Sequence, residues 1–339
     1  MKKAFCMFMV VAVLLSFSGC KNSEVANQDN SKILVYLSGP EQMLTKLEQE
    51  FENEYGDVCD FLIMSCGQVK SKIFTEKEAG KIEADIVWGS DPAVYNLLDN
   101  EDLFDPIAIE EQDKIQDKYI VEKNYVLTSE RYVAILYNKN KLKDKDLVTS
   151  FADLAKEEYK NSLVMADANQ SATALGIAAS LYQIMGNDMT YFENLKRNGA
   201  MLTKSNGQVP SKIMEGEYDL GIGPHDSVIR LKKKAKKEEF SMPVEIAWPS
   251  EGIIAIDRPM AIVKKDSRST EKDELCQKFV NFILSKKAQT IAYNAGFVSV
   301  RTDIENKYLP EDAKVFNIDW EKATENESKF KKDYQNIFK

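Results

Sequence analysis

Three times within the first hundred residues a short β-rich run ends on small polar residues and gives way to a helical pattern. Ile33–Leu37 stops at Ser38-Gly39-Pro40, and 41–54 then carries Met43, Leu44, Leu47 and Phe51 on one helical face. Val58–Met64 stops at Ser65-Cys66-Gly67 before a helix over 68–78, and Asp85–Trp88 stops at Gly89-Ser90-Asp91 before a helix opening at Pro92. This alternation predicts an α/β fold with parallel strands. In open α/β sheets ligands gather at the carboxyl ends of the strands, beside the N-termini of the helices that follow. The three loops are therefore one wall of a candidate pocket.

A second α/β set begins after Tyr132–Tyr137. Ser162–Met165 leads through Asp167–Thr173 into a long apolar helix ending near Met185, and Lys204–Gly207 opens a helix over 209–214. Leu220–Gly223 ends in Pro224-His225-Asp226 before a basic helix over 227–237, and Val244–Trp248 ends in Pro249-Ser250-Glu251-Gly252. The extended runs 253–257 and 259–263 follow, and helices over 272–284 and 286–295 close the core. Two long extended crossings, near 130–137 and 253–263, join the sets, which predicts two hinged lobes. The expected boundaries are 32–130 plus about 262–293 for lobe 1, and about 131–261 plus 294–339 for lobe 2.

The first residues stand apart from that fold. Met1-Lys2-Lys3 and the apolar run 4–15 predict a secretory signal peptide over 1–19, too short to span a bilayer. Small residues before Cys20 resemble a lipobox, with Phe17 where leucine is usual, so Cys20 is the expected lipidation site. The alternative is a plain signal peptide with an incidental cysteine. Residues 20–31 are polar and read as a lipid-anchored tether. The expected location is extracytoplasmic, held to a membrane through Cys20. Cys59, Cys66 and Cys276 make no CxxC pair, so buried free thiols are expected rather than a zinc or redox motif.

With 45 Lys+Arg against 54 Asp+Glu, the net charge is −9, which argues against nucleic acid as a partner. One histidine in 339 residues leaves no room for histidine-rich metal or catalytic chemistry. There is no G-x-S-x-G or H-E-x-x-H motif, so no enzyme activity, cofactor or metal is expected. The run Lys232–Lys237 reads as a solvated helix face whose charge suits the helix C-terminus.

The segments ADIVWGSDPAVYNLLDNEDLFDPI, ADANQSATALGIAASL, GEYDLGIGPHDSVIRLKKK, WPSEGIIAIDRPMAIVKKDS and FVNFILSKKAQTIAYNAGFVSVR are spread over most of the chain. Together they resemble the extracytoplasmic solute-binding lipoproteins of ABC transporters, with the type 2 periplasmic-binding-protein fold, in the ferric-binding and hexose-phosphate-binding group. The resemblance implies two lobes, each a mostly parallel sheet flanked by helices, joined by a two-crossing hinge. It also implies a small-molecule anionic solute held between the lobes, a monomer, and delivery to an ABC permease in the cytoplasmic membrane. Ferric binders of this group place adjacent tyrosines in the loop that here reads Pro224-His225-Asp226-Ser227. The departure points to a hexose phosphate or organophosphonate. A ferric-iron protein using other tyrosines (Tyr36, Tyr95, Tyr132, Tyr137 or Tyr218) remains the alternative, with an extracytoplasmic enzyme or a non-transport receptor behind it.

The candidate ligand contacts follow from both lines of reasoning. Asp226 and Glu251 are acceptors for hydroxyls, and His225 is a donor to a ring oxygen or phosphate. Asp226 also fits a helix N-cap, and Glu251 a structural partner near the hinge. Ser38, Ser65, Gly67, Ser90, Ser171, Thr173 and Asn206 offer hydroxyls, an amide and backbone N–H groups at strand ends and helix starts, where an anion is favoured. Ser90 and Asp91 also fit caps of the helix at Pro92. Trp88 and Trp248 fit core packing or stacking on a sugar face.

Overall fold

The computed structural model describes residues 32–121, 123–142, 148–311 and 313–339. The expected signal peptide, Cys20 and the 20–31 tether lie outside the described residues. The first set runs β1 (Ile33–Leu37), α1 (Glu41–Tyr55), β2 (Cys59–Ile63), α2 (Cys66–Glu78), β3 (Ile86–Trp88), α3 (Pro92–Asn100) and β4 (Phe104–Asp105). The long strand β5 (Val126–Asn138) leads into β6 (Leu163–Ala166), α4 (Ala172–Ile184), α5 (Thr190–Arg197), β7 (Met201–Thr203), α6 (Gln208–Met214), β8 (Leu220–Pro224), α7 (His225–Glu238) and β9 (Val244–Ala247). A second long strand, β10 (Ile253–Val263), returns to α8 (Thr270–Leu284), α9 (Lys286–Asn294) and β11 (Val298–Ser299). The chain closes with β12 (Val315–Phe316), α10 (Trp320–Glu325) and α11 (Glu327–Phe338).

Local chemistry sets these boundaries. The α1 stripe Met43, Leu44, Leu47 and Phe51 is buried, and the helix stops at Gly56 with φ +87°, a backbone that glycine adopts without strain. Ser65 and Gln68 form a reciprocal capping box on α2. Ser171, Ser269 and Ser285 each accept a backbone N–H at the starts of α4, α8 and α9. Gly221 on β8 lets α6 close down on the sheet: a Cβ there would sit 2.7 Å from Val209.

The sheet order is β2-β1-β3-β10-β5-β8-β6-β7, with β4 and β12 on β10 and β9 and β11 on β5. The parallel pairing expected from the strand–helix alternation holds at both flanks, β1 with β2 and β3, and β6 with β7 and β8. The middle is antiparallel, β10 against β3 and β5, and β5 against β8. These two long strands carry the chain out of the first set and back again, so they run against their neighbours.

The two largest hydrophobic cores form one on either side, with smaller clusters beside them. The first packs the elements of 33–127 with Met260–Val263, α8 and α9; the second packs Val133 and Ile135 with β6, α4, α5, β8, Ile254 and Ile256. Phe330 and Tyr334 place α11 in the second core. Phe297 and Val300 belong to the first, although the sequence places 294–300 with the second lobe. Where the cores part, the crossings become polar: Thr128, Ser129, Glu130 and Arg258 are all buried there.

Candidate ligand-binding site

The strand ends of both sets face a cavity of roughly 890 Å³ between the cores. Ser65, Gly67 and Lys70 of α2 and its cap line one side, Ser171 and Ala172 at the start of α4 the other, and Glu327 and Lys331 of α11 the edge. A smaller cavity of roughly 180 Å³ continues from it between Ser90, Leu175, Trp320 and Phe330. Asp91 lines both. The structure thus brings Ser65, Gly67 and Ser171 together at two opposed helix starts, with Asn206 Nδ2 3.5 Å from Ser171 Oγ. Asn206 Oδ1 is buried with no partner among the described residues. Ser90 and Thr173 are buried beside these loops.

Two arginines outside the sequence-derived set lie on the crossings beside these strand ends, lining neither cavity. Arg131 on β5 pairs in register with Ile256 on β10, and Arg258 follows at the bulge between Asp257 and Pro259. The Arg258 guanidinium lies 3.8 Å from the Trp88 ring centroid and donates to the Ser38 carbonyl. Its Nε and Nη1, and the Nε of Arg131, are buried with no partner among the described residues. Burial, reinforced by the neighbouring Arg131 charge, brings the Arg258 guanidinium down to about 9. Ser38 Oγ sits 2.7 Å from Cys66 Sγ at the same spot. Trp88 Nε1 donates to Thr128 Oγ1 at 2.8 Å, and Thr128 Oγ1 donates to the Arg258 carbonyl at 2.7 Å, which fixes this crossing. Trp88 is therefore spent on packing and on the arginine.

The three charged residues singled out in the sequence have other duties. Asp226 makes no cap bond on α7; it pairs with Arg131 at 3.5 Å and with Arg230. Burial opposes its charge, but the guanidiniums of Arg131 and Arg230 win and hold the carboxyl at about 2. Its Oδ1 has no partner among the described residues, so it still offers an acceptor beside Arg131. The His225 ring packs against Tyr132, Trp248 and Tyr308, and Nδ1 accepts the Tyr132 backbone N–H at 3.0 Å. Burial lowers the imidazole to about 4, so the ring is neutral at pH 7. Glu251 lines neither cavity. It accepts from Ser150 Oγ at 2.6 Å and from the Ala152 N–H at 2.9 Å, the structural role the sequence left open for it. Asp91 makes no side-chain cap bond on α3, contrary to the expectation for that position.

On the same crossing, Glu130 Oε2 accepts from Tyr132 at 3.0 Å, from Lys118 at 2.9 Å and from Tyr119. Asp257, in register with Glu130, has its carboxyl pushed up to about 7 by burial and by that neighbouring charge. Cys59 and Cys276 are buried free thiols as expected, whereas Cys66 is half-buried.

A profile of the family described as "Bacterial extracellular solute-binding protein" matches residues 82–326, more than two thirds of the chain. The chain belongs to this family. Among curated relatives of this extracellular solute-binding protein are the spermidine/putrescine-binding periplasmic protein of Salmonella typhimurium and a putative 2-aminoethylphosphonate-binding periplasmic protein of Salmonella typhi. The first is 29% identical over 160 residues, 44% of this chain and 43% of the relative. The second is 25% identical over 182 residues, 51% of this chain and 50% of the relative. The chain thus spans about half the length of the curated relatives it matches. Its fold is that of periplasmic binding proteins. AfuA of Actinobacillus pleuropneumoniae, solved with fructose-6-phosphate, aligns with TM-score 0.77 at 22% identity over 91% of this chain and 98% of its own. Iron-bound HitA of Pseudomonas aeruginosa aligns with TM-score 0.76 at 17% identity over 90% and 99%. No described helix is long and apolar enough to cross a membrane.

Proposed function

We propose that this protein is the solute-binding component of an ABC uptake transporter and captures a small anionic, phosphorylated solute, a hexose phosphate or an organophosphonate, between its two cores. The observation that carries this reading is a pair of neighbouring arginines on the crossings between the cores, Arg258 and Arg131, with buried donor nitrogens that have no partner among the described residues. Guanidinium donors match the oxygens of a phosphoryl or phosphonate group and form its strongest hydrogen bonds. The opposed starts of α2 and α4 add N–H groups and favourable dipoles on both sides. A ferric ion or a polyamine is a cation and is repelled by these two guanidiniums, which sets both readings behind the anion. Closure of the cores on the solute, a monomeric state, extracytoplasmic location through a lipidated Cys20 and transfer to a membrane permease complete the proposal.

The test is a thermal-shift and calorimetric screen with glucose 6-phosphate, fructose 6-phosphate, alkylphosphonates, inorganic phosphate, spermidine and ferric citrate. A solute at about 100 times its Kd stabilises the fold by ~2.7 kcal/mol, roughly 5 °C for a chain of this size. A shift with phosphorylated or phosphonate solutes alone supports the reading, and a shift confined to ferric citrate or spermidine overturns it.

A further inference from the structure

The two crossings that join the cores meet in a pair of acids. Glu130 on β5 and Asp257 on β10 lie directly opposite in the antiparallel ladder, beside the bulge between Asp257 and Pro259. Side chains so placed have Cβ atoms about 4.5–5.5 Å apart, and like charges there push the strands apart. Glu130 is buried, and Lys118, Tyr119 and Tyr132 all donate to its Oε2. Asp257 is partly buried and makes no hydrogen bond or ion pair among the described residues. Its charge faces Glu130 across the ladder, Lys118 and Tyr119 of the turn Asp117–Tyr119, and Tyr125 just ahead of β5. The Arg258 guanidinium, next in the chain, is engaged instead by the Trp88 ring and the Ser38 carbonyl. One ammonium therefore serves two carboxyls. Burial and the Glu130 charge accordingly raise the Asp257 carboxyl to about 7.

We infer that Glu130 and Asp257 form a proton-controlled clasp between the two crossings. With Asp257 protonated the ladder holds at the bulge. With both carboxyls ionised their repulsion loosens it, so the passage between the cores is stiffer in acid than in alkali. An opened strand leaves Asp257 in water with its ordinary carboxyl, near 3.9. The clasp is thus whole below about pH 4 and is lost as pH rises through 7. It needs no solute, so it stands or falls apart from the function proposed above.

Hydrogen exchange of the solute-free, full-length protein tests it. The amides read are those of β5 and β10 beside the bulge, over 126–132 and 254–260, corrected for intrinsic rates. Those whose protection lies below the global stability, measured by urea, report opening of the crossings alone. Between about pH 5 and 8 their protection is expected to fall at least fivefold in the wild type, and to stay level within about twofold in Asp257→Asn. Lys118→Met removes the cation that favours ionisation of Asp257, so the fall is expected to continue to higher pH. Unchanged protection in the wild type, an equal fall in Asp257→Asn, or an unmoved profile in Lys118→Met overturns the inference. So does exchange of these amides through global unfolding alone, because the crossings then do not loosen by themselves.

Discussion

Replacing Arg258 with methionine separates binding from folding because the two effects have opposite signs. The side chain presents two unpartnered donors, Nε and Nη1. Each hydrogen bond from a charged donor contributes about 1.5–3 kcal/mol, so their loss removes ~3–6 kcal/mol of binding energy. That is roughly a hundred- to ten-thousand-fold rise in Kd. The free protein loses the bond to the Ser38 carbonyl and the stacking on Trp88, about 1 and about 2 kcal/mol respectively. Against this, methionine removes a buried charge lying beside a second guanidinium, and apolar replacement of buried charged groups is neutral to stabilising by about 1–4 kcal/mol. The Arg258→Met protein is therefore expected to melt at or above the wild-type temperature without solute and to show no solute-induced shift. Calorimetry with the tightest wild-type solute gives the Kd. Retention of affinity within threefold, or a melting temperature lowered by 10 °C, would refute the reasoning, the second by making the guanidinium a structural strut.

Glu251→Ala is expected to lower the melting temperature by about 2 °C, for a lost turn cap worth about 1 kcal/mol, with Kd unchanged by calorimetry. His225 is held at about 4, below the ordinary 6.5, so the unfolded chain takes up a proton that the fold refuses. Its contribution is whole above pH 6.5 and lost as pH falls towards 4. Asp257 is raised to about 7, so the fold binds a proton the unfolded chain releases, and stability falls as pH rises from about 4 through 7. Urea midpoints of Asp257→Asn are thus expected above wild type at pH 8 and to converge with it at pH 5. Lys70→Met, which breaks the pair with the half-buried Glu327, is expected to weaken solute binding by no more than about 1 kcal/mol, less at high salt.

The strand-to-helix punctuation made much of the fold legible. The small residues at Ser65 and Ser171 mark both the helix starts and two walls of the cavity, because the same side chains that cap a helix leave its N–H groups facing the cleft. The last two helices carried no equally clear signal, since their apolar residues are few and only Phe330 and Tyr334 are buried in α11. His225 illustrates the limit of reasoning from position. Asp226 pairs with Arg131 and Arg230, but the adjacent His225 side chain packs into an aromatic cluster, and neither lines a cavity. Arg258 was visible, beside Asp257, as one of two adjacent charges inside the otherwise apolar run Ile253–Val263. A charged residue in a buried strand wants a partner, and here no described residue supplies enough of one. Arg131 carried the same signal between Glu130 and Tyr132, and only the pairing of β5 with β10 brings the two together.

The passage between the cores is built from hydrogen-bonded strands rather than a slack linker. Opening the cleft must therefore twist β5 and β10 about their length, a torsional spring whose stiffness comes from the ladder itself. The one place where that ladder already slips register is the Asp257/Pro259 bulge, and Pro259 has no N–H to bond there. Twisting is cheapest at that step. It adjoins Arg258, so on the function proposed above the residue that grips the solute moves with the weakest coil of the spring, and an anion seated there would stiffen the joint that has to yield to let it go.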